Sequence, residues 1–166
     1  MSTFCFFIRT DMIRTCLRLF VTIVLIISTY PLYAQSDVAG CEDHVLLDRV
    51  QGYHIERCSQ EERPLLVATG KKKQVEVRGK YSTISYYGHA DHLPNGYYLI
   101  KNYEKTIKAR GGEKLFWDNG NSGNKPRATF RLKEGDKEYW ITLTNFRGVA
   151  TEGVDAYDLT VIETTY

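Results

Sequence analysis

Apolar residues recur along this chain in two different periods. Between residues 74 and 87, Val75, Val77, Tyr81, Ile84 and Tyr86 stand at near-alternate positions, the spacing that turns one side of a strand toward a core. The alternation is perturbed around Gly79, which predicts a bulge or bend there. From residue 95 or 96 to residue 110 the period lengthens. Leu99, Ile100, Tyr103 and Ile107 fall on one helical face, while Lys101, Glu104, Lys105 and Lys108 fall elsewhere. Gly111 and Gly112 supply the stop, because a left-handed residue at a helix end is easiest for glycine. Shorter apolar runs predict strands at 53–58, 65–68, 113–117, 128–132, 138–144 and 157–163, with a short helical turn at 43–49. Glu134, Gly135 and Asp136 form a hairpin turn, and the Gly/Asn-rich stretch 118–126 forms a loop. The fold class expected is α+β: a largely antiparallel twisted sheet with one long helix, about residues 96–110, packed on one face.

The first 34 residues have a different design. Arg9, Arg14 and Arg18 precede an apolar run from Leu19 to Ile27, and the segment closes on Leu32, Tyr33 and Ala34. A basic region, a short apolar core and a small exit residue are the parts of a signal peptide. The run is too short to cross a bilayer, which takes roughly 20 residues. The domain organisation expected is a signal peptide over 1–34 and a single domain over 35–166, with a retained anchor as the alternative. The protein is then exported, and nothing after the leader spans a membrane.

Removing that leader changes the charge. It carries three arginines and Asp11, so the formal charge falls from +2 to zero. A neutral domain lacks the net positive field that nucleic-acid binding requires, so no nucleic-acid partner is expected. Lys71, Lys72 and Lys73 do cluster, but they follow Thr69 and Gly70 in a turn-like stretch. A solvated turn explains them, with contact to an anionic envelope surface as the alternative.

An oxidising destination gives Cys41 and Cys58 a meaning. A disulfide between them would close a short loop and stabilise the domain by on the order of 3 kcal/mol. Cys41 also ends the stretch Val38-Ala39-Gly40-Cys41, which has the pattern of a lipobox, so lipidation at Cys41 is a competing assignment. Gln35, Ser36 and Asp37 separate that stretch from the apolar run, and lipidation would strand Cys58 as an odd thiol.

Few residues offer chemistry. His89, Asp91 and His92 form the one cluster of metal-ligand types, with His44 and His54 as outlying candidates. The simpler account is a polar loop in which Asp91 or Asn95 caps the helix. There is no nucleophile elbow, no His-Glu-x-x-His pair and no phosphate-binding glycine loop, so no catalytic residues and no cofactor are assigned. Aromatic doublets, Tyr86-Tyr87, Tyr97-Tyr98 and Phe116-Trp117, are the remaining signal. Neighbours along a strand face opposite ways, so one residue of each strand doublet turns outward. Tyr87, Tyr97 and Trp117 are the candidate contacts for a ligand, with core packing and ordinary strand propensity as the alternative.

Several segments together resemble a known kind of domain. They are 40–44 (GCEDH), 52–58 (GYHIERC), 77–81 (VRGKY), 100–107 (IKNYEKTI) with its Gly-Gly stop, and 159–163 (LTVIE). As a set they resemble the uncharacterised exported domain found ahead of the peptidoglycan-binding domain in OmpA-family outer-membrane proteins of Gram-negative bacteria. The resemblance implies an envelope location, and its matching cysteines imply the disulfide rather than the lipobox. It carries no activity, because the residues that bind peptidoglycan belong to the following domain.

The expectation is a non-catalytic binding or structural domain of the cell envelope, periplasmic or outer-membrane-associated, whose partner is an envelope protein or glycan. Two alternatives stand beside it: an outer-membrane lipoprotein anchored at Cys41, and a metal-dependent hydrolase built on His89, Asp91 and His92.

Overall fold

The structure is a computed structural model that describes residues 36–88, 90, 92–120, 125–148 and 153–165. Its contacts divide the chain into Met1–Ala34, which lies outside the described residues together with the predicted leader, and Gln35–Tyr166, which is the subject below. The elements are β1 (Tyr53–Ala68), β2 (Gln74–Gly88), α1 (Gly96–Ala109), β3 (Glu113–Asp118), β4 (Arg127–Glu134), β5 (Lys137–Arg147) and β6 (Ala156–Thr165). The strands form one six-stranded sheet in the order β1-β2-β6-β5-β4-β3, antiparallel at every pairing.

This corrects the expected α+β class with a long helix. Among the described residues, six strands of up to 16 residues stand against a single helix of 14, so the fold is dominated by its sheet. The helical period was legible because its stripe is clean, and that clarity overstated its share. The strands were understated because they run through polar sequence. β1 continues without a break through Glu61, Glu62, Arg63 and Pro64. Those residues suit the edge of a sheet, where one side meets water and a proline's missing N–H faces outward.

Alternation sorts each strand into two faces. Ile84 and Tyr86 of β2, Leu159 and Val161 of β6, Ile141 and Leu143 of β5, and Phe130 and Leu132 of β4 turn to one side. There they meet Leu99, Ile100, Tyr103 and Ile107 of α1, all at most 2% exposed. Burial of each such side chain contributes roughly 1.5–3 kcal/mol. The N-terminal segment closes the same face through Leu46 and Leu47. The predicted helical turn at 43–49 is absent: His44 and Leu47 bridge across a tight turn instead.

That N-terminal segment is held by polar bonds as well. Arg49 grips the Asp37 carboxylate with both terminal nitrogens and donates from Nε to Asp43 at 2.8 Å. Asp43 also accepts from the Tyr86 hydroxyl at 2.7 Å, and Asp37 accepts from the Ile55 amide at 2.8 Å. The Arg49 guanidinium holds the Asp37 carboxyl at about 2, below the ordinary aspartate value. A disulfide joins Cys41 to Cys58 on β1, with the Cα atoms 5.8 Å apart.

The opposite face carries a second, smaller core. The end of the long β1–β2 hairpin packs Val67 and Val77 with Tyr81 and Ile162, flanked by Trp140. Gly79 lies where the hairpin departs from the sheet, but the register runs through it without a shift. The bulge is at Ile55/Arg57, which corrects the one expected around Gly79. Glycine is needed at 79 because a Cβ there would lie 2.1 Å from the Glu163 carbonyl oxygen. Among the described residues, no helix is long and apolar enough to cross a membrane.

Candidate functional site

The start of α1 is fixed by Asn95, whose side chain accepts the Tyr98 amide at 3.0 Å and caps the helix. The caps and the apolar stripe together set the helix rotation. With Leu99 and Ile100 turned inward, Tyr97 and Tyr98 of the first turn are 46% and 65% exposed. Their rings meet edge-on at 5.3 Å, and Tyr97 packs against Trp117 of β3, also at 5.3 Å. Trp117 pairs with Ala128 on the covered face of the edge strand, so its ring bridges core and surface. Its indole Nε1 is buried without a hydrogen-bond partner.

Two ammonium groups flank the indole. Lys101 Nζ lies 4.9 Å from the Trp117 ring centroid, and Lys114 Nζ lies 4.5 Å from it. Lys101 is also 5.9 Å from the Tyr97 ring. Each contact is a cation–π interaction, worth about 0.5–1 kcal/mol at an exposed site. Both lysines also reach Glu104, which accepts from Lys101 at 2.8 Å, Lys108 at 2.9 Å and Lys114 at 3.0 Å. Its side chain is only 5% exposed. Burial disfavours the ionised carboxyl, yet the three lysines outweigh it and hold Glu104 at about 2. One carboxylate among three ammoniums leaves a net positive field beside three aromatic rings.

The other candidate contact is elsewhere. Tyr87 is 40% exposed, and its ring partner is His54 at 5.8 Å. It shares the open face of β2 with Tyr81, Thr83 and Ser85, whereas Trp117 belongs to the covered side of the strand at the far edge. The structure therefore brings Tyr97 and Trp117 together and leaves Tyr87 apart.

His89 and Asp91 lie outside the described residues, and His92 is exposed. Among the described residues, no three potential ligands gather in a metal-binding group. His54 is buried in β1, and His44 packs against Tyr139, where burial lowers its pKa.

A scan of protein-family models finds none that matches this chain, and a search of curated proteins finds no similar one. The resemblance to the N-terminal domain of OmpA-family proteins accordingly rests on the quoted segments alone.

Sequence reasoning picked out Tyr97 and Trp117 but missed Tyr98, Lys101, Glu104 and Lys114. Part of the signal was available: Lys101 and Glu104 are three apart, and Glu104 and Lys108 four apart, so all three share a stretch of helix surface. Lys114 gave no such sign, since only the fold brings β3 alongside.

Proposed function

We propose that this protein is a non-catalytic binding domain of the cell envelope, and that its Tyr97–Tyr98–Trp117 platform recognises a negatively charged envelope glycan. The observation that carries this is the exposed ring pair of Tyr97 and Trp117, flanked by the ammonium groups of Lys101 and Lys114. Aromatic faces pack against the C–H surface of a sugar ring, and a cation beside them selects a carboxylate or phosphate on it. The exported location is supported by the leader-like residues 1–34 and by the disulfide, which belongs to an oxidising compartment. Anchoring through Cys41 would need the sulfur that is bonded to Cys58.

Purified lipopolysaccharide and a neutral dextran, immobilised in parallel, test the platform. Lipopolysaccharide should retain the protein and dextran should not. Trp117→Ala and the double variant Lys101→Gln/Lys114→Gln should each weaken retention, with added salt weakening the wild type. Equal retention on dextran, or variants that bind as well as wild type, would overturn the assignment.

A further inference from the structure

The open face of the sheet holds a trough of about 490 Å³ that is separate from the aromatic platform. Its floor is a transverse line of hydroxyls. Ser59 pairs with Thr83, Thr83 with Thr160, Thr160 with Thr142 and Thr142 with Thr129, on five adjacent strands. At the usual spacing between strands the line is about 19 Å long. Strand preference alone does not account for it, because valine and isoleucine satisfy that preference equally well. Nor are these hydroxyls loosely solvated: Thr129, Thr142 and Thr160 are 2%, 8% and 7% exposed. Thr83 and Thr160 already share a hydrogen bond at 2.8 Å.

The walls differ in character. The hairpin contributes Leu65, Leu66 and Val67 on one side. At the other end lie Asn145 and Asp158, where the bulge in β5 holds Asn145 at φ 54° and its amide donates to Asp158 at 2.7 Å. A non-glycine residue in that conformation is uncommon, asparagine being among the most tolerant, and here its amide is paired with Asp158 at the end of the trough. Charges of both signs line the site: Arg57, Arg63 and Arg127 are offset by Glu61 and Asp158, with Asp118 3.9 Å from Arg127. There is thus no strong field to draw an ion, and the aliphatic surface is confined to one wall.

We infer that the trough binds a neutral oligosaccharide. A pyranose presents C–H bonds on its ring faces and hydroxyls around its rim, matching an aliphatic wall over a hydroxyl floor. A threonine hydroxyl can both donate and accept, while the Arg57 guanidinium and the paired Asn145 and Asp158 line the end with further donors and acceptors. The length of the line suits a chain of several sugars. This site stands independently of the charged-glycan platform, which is built on α1 and β3 on the other face of the sheet.

The test is titration of the purified, isotope-labelled protein with neutral hexasaccharides of glucose and of N-acetylglucosamine, followed by backbone NMR. An oligogalacturonate of the same length serves as the charged arm. At least one neutral hexasaccharide should shift the amides of Thr83, Thr142 and Thr160. Thr142→Val with Thr160→Val keeps the shape and removes two hydroxyls, and should weaken binding on the order of tenfold. Tyr97→Ala with Trp117→Ala should leave it unchanged. The inference is overturned if no neutral probe moves these amides, if only the galacturonate does, or if the valine pair binds like wild type. Loss of binding in the Tyr97/Trp117 variant but not the valine pair would assign the sugar to the platform instead. An unchanged melting temperature in each variant separates these outcomes from misfolding.

Discussion

Lys114 on β3 meets Glu104 on α1 at 3.0 Å, tying the middle of the helix to the edge strand. The same ammonium sits 4.5 Å from the centroid of Trp117. One buried carboxylate therefore does two things: it ties the helix to the edge strand that follows it in the chain, and it holds the cations that charge the aromatic platform.

Replacing Glu104 by glutamine should lower stability by about 1.5–3 kcal/mol, the range for hydrogen bonds to a charged group. The effect should depend on pH. The folded carboxyl is held at about 2, below the ordinary glutamate value of 4.5. Its contribution is therefore fully present above the unfolded value and lost as pH falls from there through about 2. Urea midpoints at pH 7 should separate wild type from Glu104→Gln, and the gap should narrow toward pH 2. A constant gap across that window would show that the lysines do not set the carboxyl's titration.

The disulfide should act mainly through the unfolded chain. Cys41 and Cys58 are 17 apart in sequence, and a loop of that size is worth about 3 kcal/mol. The Cys41→Ser/Cys58→Ser variant should unfold at a clearly lower denaturant concentration while keeping the circular dichroism of the sheet. Reduction of the wild type should reproduce the loss. A midpoint that does not move on reduction would mean that Asp37, Asp43 and Arg49 hold the segment unaided.

The sequence disclosed some of this and hid the rest for physical reasons. Helix α1 was readable because its apolar stripe is governed by local period, and β2 because Ile84 and Tyr86 alternate with polar neighbours. β1 was legible only at its ends. Its middle, Gln60 to Pro64, has no buried residue, and it is a strand because β2 pairs with it. The same division holds at the site. Tyr97 and Trp117 could be singled out as aromatics, but their packing against each other is a tertiary fact. The hydroxyl line on the open face was invisible for the same reason. Thr83, Thr129, Thr142 and Thr160 are scattered in sequence, and only register puts them side by side.

Gly79 and Gly111 offer a contrast between two reasons for glycine. A Cβ at 79 would meet the Glu163 backbone, which cannot swing aside, whereas one at 111 meets open space. Gly79→Ala should therefore cost about 1–3 kcal/mol through overpacking and disturb the hairpin that forms one wall of the trough. Gly111 adopts φ +83°, so Gly111→Ala is strained by its backbone alone, at roughly 1 kcal/mol. Hydrogen exchange distinguishes them: Gly79→Ala should loosen amides in β2 and β6, and Gly111→Ala only the end of α1. Equal protection in β2 and β6 for both variants would contradict the close approach to Glu163.

Arg49 should resist even conservative replacement. Its guanidinium serves Asp37 with two nitrogens and Asp43 with a third, and it lies 5.9 Å from the Tyr86 ring centroid. A lysine carries the same charge on one compact ammonium and cannot reproduce that fork. Arg49→Lys should cost about 1.5–3 kcal/mol, nearer the lower figure because Arg49 and Asp37 are both partly open to water. Asp37 should then titrate closer to the ordinary aspartate value, since the Arg49 hydrogen bonds are the main cause of its depression to about 2. Because a depressed carboxyl contributes its full stabilisation above its unfolded pKa and loses it as pH falls through the folded value, the loss should be largest near neutral pH and fade in acid. Carboxyl NMR titration of Asp37, alongside urea midpoints at pH 7 and pH 2, checks both. An Asp37 that still titrates near 2 in the lysine variant would transfer its stabilisation to the Ile55 amide.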